Sequence, residues 1–341
     1  MAVVDDSVVV RGLFARWLAE MPDVELVGVH RDGLEALRQA PLCQPDVIVL
    51  DIEMPDMDGL TALPLLLEAV PKARVLVVSA LSIRGADLTL KCLMRGASEY
   101  LSKPTTMAKV STTPAFKEAL QQRVRALGTQ TPQVMPARGI RPLPERQDAA
   151  LPSLLLIGAS TGGPAAVVAL LAQIPAVLQR VPVVVCQHMP STFTALFADH
   201  LRRHCRLDAR EITGGEMLGC GVIHVVRGDC NLVLIRDGAG IRTRAVDHPG
   251  TEPRPSIDLM LASAADLAGP SALAVIMTGS GQDGAAGAAR LAAARGTVLA
   301  QDPATCAVGS MPKAIVDAGD AVLVGDIPVL AGAINRLCLP G

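Results

Sequence analysis

Along the first hundred residues, short apolar runs alternate with longer stretches whose apolar positions recur at helical spacing. MAVV, VELVGV, PDVIVLD, RVLVVSA and EYLSKP have strand length. SVVVRGLFARWLAE, GLEALRQA, GLTALPLLLEAV and GADLTLKCLMRGA carry the helical pattern between them. Strands apolar at nearly every position are covered on both faces, so residues 1–107 predict a parallel sheet between helices, a doubly wound α/β domain. From residue 108 the pattern lapses. FKEALQQRVRAL has the spacing of a short helix, but GTQTPQVMPARGIRPLPERQ is polar, Pro-rich and aperiodic, and 108–150 reads as an interdomain linker. The alternation resumes over 151–341. SLLLIGA, VPVVVCQH, VIHVV, LVLI, ALAVIMTG and GTVLAQ read as strands, and PAAVVALLAQI, TFTALFADHLRRH, PSIDLMLASAADLA and GAAGAARLAAA as helices. This predicts a second, larger doubly wound domain with one antiparallel excursion around 222–244.

Composition narrows the function. The chain has 341 residues, half of them hydrophobic, enough for two cores. Lys and Arg total 31 against 33 Asp and Glu, a net charge of −2, which argues against nucleic acid as the main partner. Aromatic residues at 2 % leave little for stacking on bases. Eight cysteines form no C-x-x-C pair and several sit in apolar runs, the pattern of buried reduced thiols. No signal peptide opens the chain and no apolar run reaches the roughly 18 residues of a membrane helix. The expectation is a cytoplasmic protein, not membrane-inserted.

In parallel α/β sheets ligands gather where strands end. In the first block those ends carry Asp5 and Asp6, Asp51, Ser79 and Lys103. Converging carboxylates repel unless a hard cation such as Mg²⁺ sits among them, and Lys103 and Ser79 could meet the oxygens of a phosphoryl group on Asp51. With the motifs VVDDS, LDIEMPDMDG, VVSA and YLSKP, residues 1–107 resemble the receiver domain of two-component response regulators. The resemblance implies a flavodoxin-like fold with Asp51 as phospho-acceptor. It makes Asp5, Asp6 and Asp51, with the Glu53 backbone carbonyl, the Mg²⁺ ligands, and Ser79, Tyr100 and Lys103 the switch residues. Pro104, after Lys103, is a candidate cis bond. Only four residues precede Asp5, so the first strand is expected to be shorter than the usual five or six.

In the second block, LLLIGASTGGPAAV joins a strand to a helix through a glycine turn with Ser160 at its centre. A dinucleotide loop would need Gly at that position and an acidic residue closing the next strand, which instead ends in Gln187-His188. A nucleophile fits better. Ser160 would be exposed at the sheet edge, His188 follows the next strand, and Asp283 follows ALAVIMTG in the loop GSGQDG. The other five histidines lack this strand-end placement. The chain order Ser, His, Asp differs from that of α/β-hydrolases. That order, with GASTGGP, QHMP, RPSIDLM, MTGSGQDGA and AQDPATCAVGSMP behind a receiver, resembles the chemotaxis-type protein-glutamate methylesterase family (CheB).

The resemblance implies a Rossmann-like α/β/α hydrolase domain in which Ser160, His188 and Asp283 are the catalytic triad. Backbone N–H groups near Thr161, Gly162 and Ser280 would form the oxyanion and substrate loop. Its substrates would be glutamate γ-methyl esters on chemoreceptor cytoplasmic helices, with methanol released and receptor glutamines deamidated at the same site. No cofactor is expected in this domain, and a CheA-type histidine kinase would be the phosphodonor. The unphosphorylated receiver is expected to block the Ser160 cleft. Two positions depart from the family pattern: Ser280 stands where methionine is usual, and an APGD-type turn reads VRGD over 226–229. Two alternatives remain, a signalling adaptor with an inactive or repurposed hydrolase domain and a DNA-binding regulator. The acid–base balance and the βα pattern count against the latter.

Overall fold

The computed structural model describes residues 1–80, 83–104, 114–128, 151–247, 250 and 253–339. The chain divides into two compact units, 1–131 and 132–341. Most of the expected linker, 108–113 and 129–150, lies outside the described residues, as do 105–107, His248 and the chain's last two residues.

The first unit holds five parallel strands, β1 (Ala2–Val4), β2 (Gly28–His30), β3 (Val47–Asp51), β4 (Arg74–Ala80) and β5 (Glu99–Lys103), in the order β2-β1-β3-β4-β5. This is the flavodoxin-like order, with its reversal between β1 and β3. VIVLD is buried at all five positions, as a strand covered on both faces must be. β1 has three residues, yet it pairs in register with β2 and β3, and that suffices to place Asp5 at the sheet edge. VELVGV contributes only its end: β2 begins at Gly28. His30 is therefore a strand-end histidine, contrary to the sequence reading.

The helix read in the linker spans Pro114–Gly128 and packs on this unit. Phe116, Leu120, Val124 and Leu127 form its buried stripe. Phe116 lies 6.0 Å from Phe14 and 6.2 Å from Trp17, ring centre to ring centre, in the helix Val8–Ala19. Each side chain so buried contributes about 1.5–3 kcal/mol, so the sequence reading ended the first block before its last helix.

The second unit is built on seven parallel strands in the order β14-β13-β12-β6-β7-β9-β8. The central ones are β12 (Ala272–Ile276), β6 (Leu154–Ala159) and β7 (Val183–Gln187), each fully buried. β9 (Val222–Val226) and β8 (Asp208–Ile212) extend one side, β13 (Thr297–Gln301) and β14 (Leu323–Gly325) the other. The chain leaves β6 towards β7 but returns to its other side at β12, so the strand order reverses at β6. The antiparallel excursion is narrower than expected. β9 pairs parallel with β7, and among the described residues only β10 (Asn231–Asp237) and β11 (Gly240–Val246) form an antiparallel hairpin. Among the described residues no helix is long and apolar enough to cross a membrane. The eight cysteines are unpaired.

Candidate functional site

The edge of the second sheet at β6 collects the hydrolase candidates. Ala159 is in register with Gln187, and the His188 N–H donates to the Ala159 carbonyl at 3.0 Å, so Ser160 and His188 leave neighbouring strands side by side. The Ser160 N–H donates to the Thr278 carbonyl at 3.0 Å, tying the turn to the end of β12. The Gly163 N–H closes the turn on the Ser160 carbonyl at 2.8 Å. Gly162 precedes the helix Gly163–Leu171 with φ of 75°, the left-handed region where a side chain is costly. Thr161 is buried and Ser160 half-buried. The GSG loop runs alongside, and a β-carbon on Gly279 would come 2.8 Å from the Ser160 β-carbon. Its neighbour Ser280 is exposed.

His188 Nε2 donates to Asp283 Oδ2 at 2.8 Å. That leaves Nδ1 as the nitrogen with a free lone pair, the one able to take a proton. The ring is not hydrogen-bonded to the Ser160 hydroxyl here, and such contacts often tighten only with substrate present. Asp283 is seated against the start of the helix Ile257–Ala268. Its Oδ2 accepts from the Ile257 N–H at 2.8 Å and its Oδ1 from the Asp258 N–H at 3.0 Å. Burial would raise its pKa, but the His188 bond and the two N–H donors outweigh that and hold it below the usual carboxylate value. The helix dipole acts in the same direction. An open cleft of about 740 Å³ beside this carboxylate is lined by Ser256, Asp258, Gly281, Gln282 and Arg290, among others.

At the edge of the first sheet, Asp5, Asp6 and Asp51 place carboxylate oxygens within 4.8 Å of one another. This donor set fits a hard divalent cation. Glu53 is exposed and its side chain lies outside the cluster. Lys103 Nζ lies 2.8 Å from Asp5 Oδ2 and 2.7 Å from Asp51 Oδ2. Burial pushes the Asp51 pKa up to about 6, with the Asp5 charge adding to it and Lys103 opposing it. Arg11 Nη1 donates to the carbonyls of Asp5 and Asp6 at 2.6 and 2.8 Å, fixing the backbone that carries both carboxylates. Ser79 is buried and its hydroxyl is 2.6 Å from that of Thr89, on the helix Ile83–Met94. Tyr100 packs against the core around Val77 and Cys92, and burial raises its pKa. The cis peptide bond among the described residues is Arg254–Pro255, not Lys103–Pro104.

Sequence reasoning missed Ser256, Gln187 as a side chain, Arg11 and Thr89. Only Ser256 carried a local signal: Ser-x-x-Leu at a helix start, where its hydroxyl accepts from the Leu259 N–H. Arg227 pairs with Asp229 at 2.8 Å, and Gly228 packs against Met189 and Pro190, directly after His188.

Both units of the chain are similar to known protein families. Residues 155–334 match the CheB methylesterase family and residues 1–113 the response regulator receiver domain. A protein-glutamate methylesterase/protein-glutamine glutaminase of group 2 operon from Bradyrhizobium diazoefficiens is 36 % identical, over 98 % of this chain and 93 % of its own length. A protein-glutamate methylesterase/protein-glutamine glutaminase from Nitrobacter hamburgensis is 38 % identical with the same coverage. Among solved structures, the CheB methylesterase catalytic domain of Thermotoga maritima aligns with a TM-score of 0.52 and 32 % identity, over 55 % of this chain and all of that one. Two family matches in this order, with relatives alike along nearly the whole length, establish the lineage: the chain belongs to the CheB methylesterase family, with a receiver domain ahead of the methylesterase domain.

Proposed function

We propose that this protein hydrolyses glutamate γ-methyl esters on chemoreceptor helices, releasing methanol, and that phosphorylation of Asp51 stimulates it. The observation that carries the hydrolase reading is the His188–Asp283 pair at the β6 strand-order reversal, beside the turn that presents Ser160. In this mechanism Ser160 Oγ attacks the ester carbonyl while His188 Nδ1 takes its proton. The imidazolium, stabilised by Asp283, then protonates the departing methoxide. Thr161, Gly162 and Ser280 would supply backbone N–H groups to the tetrahedral oxyanion, and a backbone donor at Ser280 does not depend on the side chain that replaces the usual methionine. Water, activated by the same histidine, cleaves the acyl-serine. A receptor glutamine would follow the same path with ammonia as leaving group, matching the glutaminase activity in the relatives' names.

In the receiver, Asp5, Asp6 and Asp51, with the Glu53 carbonyl, would hold Mg²⁺, which neutralises charge on a phosphoryl group. A CheA-type kinase or a small phosphodonor would supply that group. Lys103 would pair with one phosphoryl oxygen and Ser79 would turn towards another, with Tyr100 following the switch. The unphosphorylated receiver restrains the hydrolase. Full-length protein is expected to release methanol from methylated receptor, and Ser160→Ala to lose the activity by at least about 10⁴-fold. A purified Ser160→Ala protein with undiminished methanol release would remove Ser160 as nucleophile.

A further inference from the structure

Gln187, the last residue of β7, is buried to 1 % exposure and turns its side chain back along the sheet edge. Its amide nitrogen donates to the Ser160 carbonyl at 2.8 Å and to the His188 carbonyl at 3.1 Å. A primary amide has two N–H donors, and both are used on the main chain of the two residues whose side chains must meet. The amide is planar, so the separation of the two carbonyls is set by its geometry. The rest of the side chain is packed in place. A β-carbon on Gly163 would come 2.1 Å from the amide oxygen, so the second glycine of the turn is required to admit this side chain. That oxygen is buried and has no hydrogen-bond partner. The protein thus carries an unsatisfied buried acceptor, a cost of about 1–3 kcal/mol, where an apolar side chain would avoid it.

We infer that Gln187 is a positioning residue of the hydrolase site, holding the backbone of the nucleophile and of the base in one register. The inference rests on the reading of Ser160 and His188 as nucleophile and base. Reaction at Ser160 needs its oxygen placed against the substrate carbonyl while the imidazole faces it. Small misplacements of such groups cost rate much more than affinity. Gln187 reaches neither substrate nor reacting atoms in this role; it acts through Ser160 and His188.

The test uses the full chain with a phosphodonor, methylated receptor as substrate and methanol as readout. Gln187→Met keeps the volume and removes both donors. It should lower kcat about 10- to 100-fold with KM within about twofold. Labelling of Ser160 by a fluorophosphonate should slow to the same degree, at an unchanged melting temperature. Gln187→Glu keeps the shape, and its protonated form restores one donor, so its kcat relative to wild type should rise as pH falls. A merely structural role would move the melting temperature without that pH-dependent ratio. If Gln187→Glu does not fold, Gln187→Met decides. Wild-type kcat and labelling rate in Gln187→Met overturn the inference. Ser160→Ala is run in parallel: an active Ser160→Ala protein defeats the hydrolase reading itself, whereas an inactive one beside a fully active Gln187→Met defeats only the role of Gln187.

Discussion

Both sheets of this protein place a carboxylate where the strand order reverses, and they treat it in opposite ways. Asp51 is buried beside a second carboxylate, Asp5, and held by one backbone N–H, from Ile52 at 2.9 Å, and by one flexible cation, Lys103. Its pKa is raised to about 6, mainly by burial. Asp283 is similarly secluded but faces two helix N–H groups and an imidazole, and its pKa is lowered. The first arrangement leaves a carboxylate that gains from new positive charge or from chemical modification. The second fixes a permanent anion whose use is to orient a neighbour. The same edge of the same kind of sheet thus yields a modifiable site in one unit and a fixed one in the other, through the partners each carboxylate meets.

Replacing the fixed anion should have the largest effect. Asp283→Asn keeps the shape but no longer demands a proton on His188 Nε2, and kcat for methanol release should fall about 10⁴-fold with the fold intact. Activity within tenfold of wild type would deny Asp283 its orienting role.

Next comes the flexible cation. Lys103→Met leaves Asp5 and Asp51 facing each other in a buried pocket. Unfolding of the first unit, followed through Trp17, the only tryptophan, should become easier by about 3 kcal/mol. Added Mg²⁺ should recover part of the loss. An unchanged denaturation midpoint would mean that Lys103 is not what holds the pocket.

The two carboxylates also predict opposite responses to pH in metal-free buffer. For Asp51, with its folded pKa above the ordinary 3.8, the stabilising contribution is full below 3.8 and is lost as pH rises through about 6. For Asp283, with its folded pKa below 3.8, the contribution is present above 3.8 and is lost as pH falls through the folded value. Protection against amide exchange, taken relative to the intrinsic rate at each pH, should therefore fall in β3 from pH 4 to 7, while Ile257 and Asp258 should lose protection only on acidification. The same trend in both places would erase the contrast.

The smallest effect is expected at Thr89. Thr89→Val removes the hydrogen bond to Ser79, freeing its hydroxyl to turn towards a phosphoryl group. Half-maximal stimulation should need about 2- to 5-fold less phosphodonor, as expected for a bond worth about 1 kcal/mol. An unaltered dose response would leave the Ser79–Thr89 bond without a regulatory part.

Much of this was legible in the sequence because the central strands are apolar throughout. VIVLD, LLLIGA, VVVCQ and ALAVI announce themselves, and the polar residues that follow them fall at the sheet edges. The edge strand DAREI was not legible, since three of its five residues are charged and the adjacent Arg210 and Glu211 break the alternation that would mark a strand. Nor was the parallel pairing of VIHVV, whose partner lies some forty residues earlier in the chain. The helix Pro114–Gly128 could be read as a helix, but not the aromatic contacts with Phe14 and Trp17 that assign it to the first unit. Ser160, His188 and Asp283 stood out by type and strand-end position. Their supports did not: the helix start that holds Asp283 comes from residues 256–258, and the Gln187 amide was indistinguishable from any strand-end polar group. Supports of this kind depend on register between distant segments, which a single chain read linearly does not display.

The most direct test is methanol release from methylated receptor by the full-length wild-type protein, with and without a small-molecule phosphodonor, alongside Asp51→Asn. The account predicts basal release in both proteins and stimulation in the wild type alone. No methanol from the wild type under either condition, or equal stimulation of Asp51→Asn, would contradict it.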